Sequence, residues 1–301
     1  MSWEFERVAG PFQGPANGVV WDGSAVIFSL MEEMRLMRFE PQSGAVSELR
    51  KYTNRVNGLG FGPNGELYGC QEGGRRLVEF SPDGRLFAVD ALLAGKYHNH
   101  PSDLAVDRQG RIWFADPHSS VLAFGPQIFP ALDHASVLRL ERNERRAWVL
   151  SRVTYDTVAP RAVLLSPDEK TLYVAEGEPR DGRTRELRAY RLREDGEAGA
   201  YIVLHTFGAD HRGPHRGIEG LCLDADGNIV ACGGWTKSGA GPLVYVVSHT
   251  GAILETHSLP ADLPNRCCFG GNDLTDLYVT TAGGELLRAK TTRRGVDRKA
   301  G

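Results

Sequence analysis

The chain has 301 residues, 41% of them hydrophobic and 24% charged, with a formal net charge of −3. Such a chain buries a core and is not disordered, no run approaches the ~20 apolar residues of a membrane helix, and the charge draws it toward neither nucleic acid nor an anionic membrane. The 36 glycines are about 12% of the chain against a usual ~7%; because glycine is costly inside helices, they predict many turns and short strands.

In chain order, the opening Met1-Ser-Trp-Glu-Phe-Glu-Arg is polar, lacks the apolar core of a signal peptide and alternates aromatic with charged residues. It predicts a strand near Trp3 to Val8. One phrase then recurs six times, over residues 17–28, 57–68, 102–114, 161–174, 219–230 and 265–279. Each copy is a polar residue, often a glycine, an apolar alternating run, a turn and a second apolar run. Breaks such as Pro63-Asn-Gly, Arg108-Gln-Gly and Asp224-Ala-Asp-Gly supply the positive φ of a tight turn, so each copy predicts a β-hairpin. Third strands are expected at Arg35-Leu-Met-Arg-Phe, Arg76-Leu-Val-Glu-Phe, Val137-Leu-Arg-Leu and Leu187-Arg-Ala-Tyr-Arg-Leu. Fourth strands are expected at Ala45-Val-Ser-Glu-Leu, Trp148-Val-Leu and Tyr201-Ile-Val-Leu.

The first residues of the copies are 40, 45, 59, 58 and 46 apart, a period of about 50 that suits a four-stranded propeller blade and exceeds a leucine-rich or ankyrin unit. The predicted fold is all-β: a six-bladed β-propeller with four-stranded antiparallel blades around a central channel, one domain over residues 1–301. The N-terminal strand is expected to complete the last blade, so that the closed ring leaves few exposed edges. The basic tail, residues 290–301 with Lys290, Arg293, Arg294, Arg298 and Lys299, is expected to be a solvated or frayed end. Five cysteines without a CxxC or a spaced framework predict free thiols and a cytoplasmic location.

The innermost strand of each blade runs along the channel, so the six opening residues should form one ring at its mouth. They are Asn17, Asn57, Ser102, Arg161, Glu219 and Asn265, and all are polar. A ring that served packing alone would tolerate small or apolar residues, so six polar ones predict a functional pocket; a hydrated mouth capped by side-chain hydrogen bonds is the competing reading.

The copies resemble the gluconolactonase, senescence marker protein and luciferin-regenerating enzyme family of six-bladed propellers. The resemblance covers nearly the whole chain, and its best pieces begin at Pro101-Ser-Asp-Leu-Ala-Val-Asp, Ser166-Pro-Asp-Glu-Lys and Asn265-Arg-Cys-Cys-Phe. It implies a lactonase or related esterase that holds a divalent ion (Ca, Zn or Mg) at the mouth, where the ion polarises a carbonyl and activates water. The implied ligands are Glu in the first blade, Asn in the fourth and Asp in the fifth, often with Asn in the third. Here Asn17-Gly-Val-Val-Trp stands where the family has Glu-Gly-Pro-Val-Trp, and a shifted alignment would offer only Gln13. The other positions read Ser102, Arg161 and Glu219. If a metal is bound, its ligands would be Glu219, Asn17 and Ser102. Arginine has five donors, no acceptor and a permanent charge, so Arg161 cannot ligate a cation and repels one. The expectation is therefore that no cofactor is bound and that Arg161 takes over the electrostatic task, facing an oxyanion or clamping a substrate carboxylate. Glu219, held ionised by an ion pair with Arg161, is the candidate general base.

His100 lies two residues before Ser102, where the family often has a substrate-contacting residue, and is the candidate proton shuttle. His98 would share its face on an extended strand, so the two histidines with Glu219 are an alternative metal site. Asp103, His118 and Trp235 complete the candidate substrate-binding set with Asn17, Asn57, Ser102 and Asn265. The segment 119–135 is long enough for a lid, and His211 and His215 precede Glu219 closely enough to reach the mouth. The predicted activity is lactonase-like hydrolysis of a small cyclic ester. A metal-independent isomerase, lyase or cyclase on the same scaffold is the alternative, and a non-catalytic ligand-binding propeller the second. The expected partner is a small-molecule substrate; oligomeric state is not readable.

Overall fold

The computed structural model of the protein describes residues 2–120, 122–125, 127–178 and 182–296, and among them no α-helix forms. Six four-stranded antiparallel sheets carry the architecture. Their inner strands are Ala16–Trp21, Val56–Phe61, Asp103–Val106, Pro160–Leu165, Ile218–Leu223 and Pro264–Gly270 in blades 1 to 6. Each inner strand touches the inner strands of the preceding and following blades, and the sixth touches the first, so the ring closes. The expected third and fourth strands are present; blade 4, for example, continues through Glu186–Leu192 and Ala198–Thr206.

The alternating apolar residues of each blade interdigitate with the next, giving one apolar cluster per blade interface. Leu164, Tyr173 and Leu187 of blade 4 meet Leu221, Ile229 and Val247 of blade 5. The tight turns form as their residues dictate. Gly65, Gly110 and Gly227 sit at φ of 87°, 79° and 79°. Asp107 caps its own turn by accepting the N–H groups of Gln109 and Arg111, and Asp224 does the same for Asp226 and Asn228.

Closure is made by the N-terminal segment. Glu6–Ala9 pairs antiparallel with Leu286–Lys290 and forms the outer strand of blade 6. This strand starts later than the alternation predicts. Trp3 lies outside the ladder because its indole is buried against blades 5 and 6, stacked on His257 with ring centroids 3.8 Å apart. Of the basic tail, Lys290 ends the third strand of blade 6, and Arg293 is tied to Asp224 at 2.6 Å and Glu255 at 2.5 Å rather than frayed. Arg298 and Lys299 lie outside the described residues. All five cysteines are free thiols, and no helix of the described residues is long and apolar enough to cross a membrane.

Candidate active site

The ring residues acquire their direction from β-bulges. In blade 4, Pro160 pairs with Glu176 and Ala162 with Ala175, which leaves Arg161 as the extra residue. Glu219 and Asn265 are left over in the same way in blades 5 and 6. In blades 1 and 2 the pairing skips over Asn17-Gly18 and Asn57-Gly58. A bulge re-aims its side chain and frees its backbone from the ladder. Packing here is tight: a Cβ on Gly18 would lie 2.4 Å from Asn57 O, and one on Gly220 2.5 Å from Asn265 O. Glycine after the ring residue is thus what lets adjacent inner strands converge.

The freed carbonyls find partners in the channel. Asn17 O accepts from Thr280 Oγ1 and Asn57 O from Ser29 Oγ, both at 2.7 Å. The rest converge on one residue, Arg266. Its guanidinium donates to Ser102 O at 3.1 Å, Arg161 O at 3.2 Å, Asn265 O at 3.1 Å and Glu219 O. Its Nε donates to Asp103 Oδ1 at 3.2 Å, while Asp103 Oδ2 accepts the Val163 N–H. Burial pushes the Asp103 carboxyl above its ordinary range, against the pull of Arg266. Asp103 and Arg266 are therefore the floor of the mouth, spanning blades 3 to 6.

Above that floor stands Glu219. Arg216, three residues earlier, donates from Nε to Glu219 Oε1 at 3.3 Å, and its Nη2 lies 3.5 Å from Asn265 Oδ1. Burial acts to raise the Glu219 carboxyl, but Arg216, Arg161 and Arg266 outweigh it and hold the group below the usual carboxylate range. Glu219 is ionised at neutral pH. The expected direct pair with Arg161 is replaced by the pair with Arg216; Arg161 acts on Glu219 through its field, and its own carboxylate neighbour is Glu178, 3.8 Å from Nη2. Asn265 Nδ2 donates to Ala16 O at 2.9 Å and Asn17 Oδ1 at 3.1 Å, and Ser102 Oγ donates to Arg161 O at 3.3 Å. Several ring polar atoms are buried with no hydrogen-bond partner: Asn17 Nδ2, Asn57 Oδ1, Arg161 Nε and Arg216 Nη1. Unmade buried hydrogen bonds are costly, so these four open donors and acceptors are ones that an occupant of the mouth would complete.

The other candidates scatter around this centre. His100 is half-buried, and its backbone N–H donates to Pro117 O at 3.3 Å. His98 and His100 precede the blade 3 strand, which starts at Asp103, so strand alternation does not govern them. His98 is fully buried, packed on Tyr97 and Phe114, and burial pushes its imidazole down to about 3. His118 is exposed, as is His211, and His215 lies 3.6 Å from Asp210. Trp235 is half-buried and donates to Ser238 Oγ at 2.6 Å, which in turn donates to Pro214 O, docking it on the small hairpin of Ala209–Asp210 and Gly213–Pro214. In the segment expected as a lid, the Phe124 N–H donates to Gly73 O at 2.8 Å and Arg75 holds Gln127 Oε1 at 2.9 Å; Val121 and Pro126 lie outside the described residues. Sequence reasoning missed Arg216 and Arg266. The signal for Arg266 was its place directly after a ring residue.

The divalent ion that the resemblance implies does not fit these residues. Asn17 Oδ1 already accepts from Asn265 Nδ2, Ser102 offers only a neutral hydroxyl, Glu219 is paired with Arg216, and three guanidinium groups act on the same point. Hard divalent cations need several oxygen ligands and compensating negative charge. Among the described residues, no three His, Cys, Asp or Glu side chains are grouped to hold a metal, which includes His98, His100 and Glu219.

The family model for the SMP-30/Gluconolactonase/LRE-like region matches residues 15–283. A gluconolactonase of Zymomonas mobilis is 25% identical over 314 residues, covering 98% of this chain and 83% of that protein. A 6-deoxy-6-sulfogluconolactonase of Pseudomonas putida is 27% identical over 249 residues, covering 82% and 76%. The solved structure of a gluconolactonase from Xanthomonas campestris superposes with a TM-score of 0.77 at 24% identity, covering 96% of this chain and 89% of that one. With a propeller closed as the repeats require and a family match over most of its length, the chain belongs to the SMP-30/gluconolactonase/LRE-like family.

Proposed function

We propose that the protein is a lactonase-like hydrolase that opens a small cyclic ester at the channel mouth, with Glu219 as general base and Arg161 as the fixed cation that stabilises developing negative charge. One observation carries this reading: an ionised, nearly buried carboxylate stands among guanidinium groups at the mouth of a scaffold shared with gluconolactonases. Water attacks the lactone carbonyl while Glu219 takes its proton. The carbonyl oxygen becomes an oxyanion facing Arg161. Collapse breaks the ring C–O bond, and the alkoxide is protonated from Glu219 or through His100, leaving a hydroxy acid and the enzyme unchanged.

A carboxylate with a lowered pKa is a weak base, so general-base catalysis gains least at this site and the preorganised charge of Arg161 carries most of the barrier lowering. Arg161 suits that task because, among the described residues, its side chain donates no hydrogen bond.

The test is lactone opening followed in a pH-stat above the spontaneous rate, with gluconolactone and a pentonolactone as substrates. Turnover should persist in excess chelator and fall about 100-fold in Glu219→Gln, the low end of general-base loss, as a weak base implies. Unchanged turnover in Glu219→Gln would overturn the assignment of the base. Loss in chelator, restored by a divalent ion, would overturn the role given to Arg161.

A further inference from the structure

We infer that the substrate itself carries an anionic group, an ionised carboxylate or a similar oxyanion beside the lactone ring, and that Arg161 and Arg216 bind it at the mouth. This deepens the lactonase reading and rests on it for the word lactone, though not for the anion.

The argument is a count of donors. Arg266 spends its guanidinium on four backbone carbonyls and Asp103. Arg55, on the rim of blades 1 and 2, pairs through both Nη atoms, with Glu32 at 3.0 Å and Glu72 at 3.2 Å, and leaves over only its Nε. Arg216 uses Nε and Nη2 on Glu219 and Asn265, and its Nη1 is left buried without a partner. Among the described residues, the Arg161 side chain donates no hydrogen bond. Its Nε is buried without a partner, and Glu178 stands 3.8 Å from Nη2, compensating charge beyond hydrogen-bond distance of Arg161. A guanidinium presents five N–H donors in a fixed fork. One tetrahedral oxyanion uses two or three donors, so Arg161 and Arg216 leave a surplus that a neutral lactone does not consume.

The accessible surface agrees. The Arg161 side chain is 31% exposed and that of Arg216 is 11% exposed, so the fork is open to a ligand but partly desolvated. Partly buried arginine–carboxylate pairs are bidentate and strong, whereas the same cation in water discriminates little. A fixed cation, Arg161, stands at one of the positions where the resemblance implies a ligand for a divalent cation, and with Arg216 beside Glu219 it favours an anion there.

The experiment uses the full chain and two arms. In the first, calorimetry compares glucarate, a six-carbon dianion, with the uncharged polyol glucitol, at low and at physiological salt. Glucarate should bind at least about tenfold tighter than glucitol, and Arg161→Gln should remove about 10- to 100-fold of that affinity, the scale of a charged hydrogen bond. In the second, kcat/KM is compared for glucarolactone, which keeps a free carboxylate, and neutral gluconolactone. Preference for glucarolactone by tenfold or more, abolished in Arg161→Gln, supports the inference. Equal binding of glucarate and glucitol overturns it even if every lactone is opened. Anion binding that depends on Arg161 with no lactone opened supports it and removes the hydrolase reading instead. Circular dichroism of Arg161→Gln confirms that the variant is folded.

Discussion

Arg216 Nε lies 3.3 Å from Glu219 Oε1, three residues along the same strand entry, and both side chains are largely buried at the channel mouth. The pair keeps the Glu219 carboxyl below its ordinary range although burial alone would raise it. The acid limb of kcat/KM should therefore fall below about pH 4.5, the usual glutamate range. In Arg216→Gln the largest cationic influence is gone, burial prevails, and the limb should move to higher pH. A pH–rate profile of both proteins checks this; an unmoved limb would assign the limb to another group.

Arg266 and Asp103 are the second pair, and each side chain is 10% exposed. Arg266→Met strands a buried carboxylate and four carbonyls, and should cost about 3–5 kcal/mol of stability, as breaking a buried pair does. Asp103→Asn in that background should recover part of the loss, because the uncompensated charge goes with it. Urea unfolding of the two single variants and the double variant gives the coupling, and strict additivity would show that the pair is not coupled.

His98 makes an acid-sensitive core. Its folded pKa is lowered to about 3 by burial and by Arg75, so between about 6.5 and 3 the unfolded chain binds a proton that the native state does not. Stability contributed at neutral pH is lost as pH falls through that window. From pH 6.5 to 5 the loss is roughly 2 kcal/mol. His98→Phe should flatten it, read as a smaller difference in urea midpoint between pH 7 and pH 5. Asp116 works the other way. Burial raises its carboxyl to about 8, so the native state holds a proton that the unfolded chain lacks, and stability falls as pH rises from about 4 to 8. Asp116→Asn should remove that slope.

Ring closure should be equally sensitive at Trp3, which is 4% exposed, stacks its indole on His257 and donates its backbone N–H to His257 Nδ1 at 3.1 Å. Trp3→Ala should cost about 3–5 kcal/mol, the range for a large core side chain. A chain beginning at Gly10 would also lose Glu6–Ala9 and bare the edge of Leu286–Lys290. Size-exclusion chromatography should then show association through that edge, as unpaired strands promote.

The repeating hairpins were legible because strand alternation and turn chemistry are local. Pro63-Asn-Gly or Asp224-Ala-Asp-Gly calls for its turn whatever lies nearby, and residues such as Leu164 and Tyr173 face a neighbouring blade by parity alone. The ring was legible for the same reason, since Asn17, Arg161 and Glu219 open copies of one phrase. The shared face expected for His98 and His100 does not follow, because both precede the strand, where parity has no force, and the fit against Tyr97 and Phe114 buries His98.

What the sequence by itself determined is the propeller and the six polar positions at its mouth, since both follow from periodicity. Only the tertiary structure decided the chemistry between those positions. Arg216 reaches Glu219 and Arg266 gathers the carbonyls of blades 3 to 6 because bulges re-aim the chain and the blades converge. A long flexible side chain can reach many places, and which acceptor it meets is set by residues far away in the chain, so no local pattern encodes it.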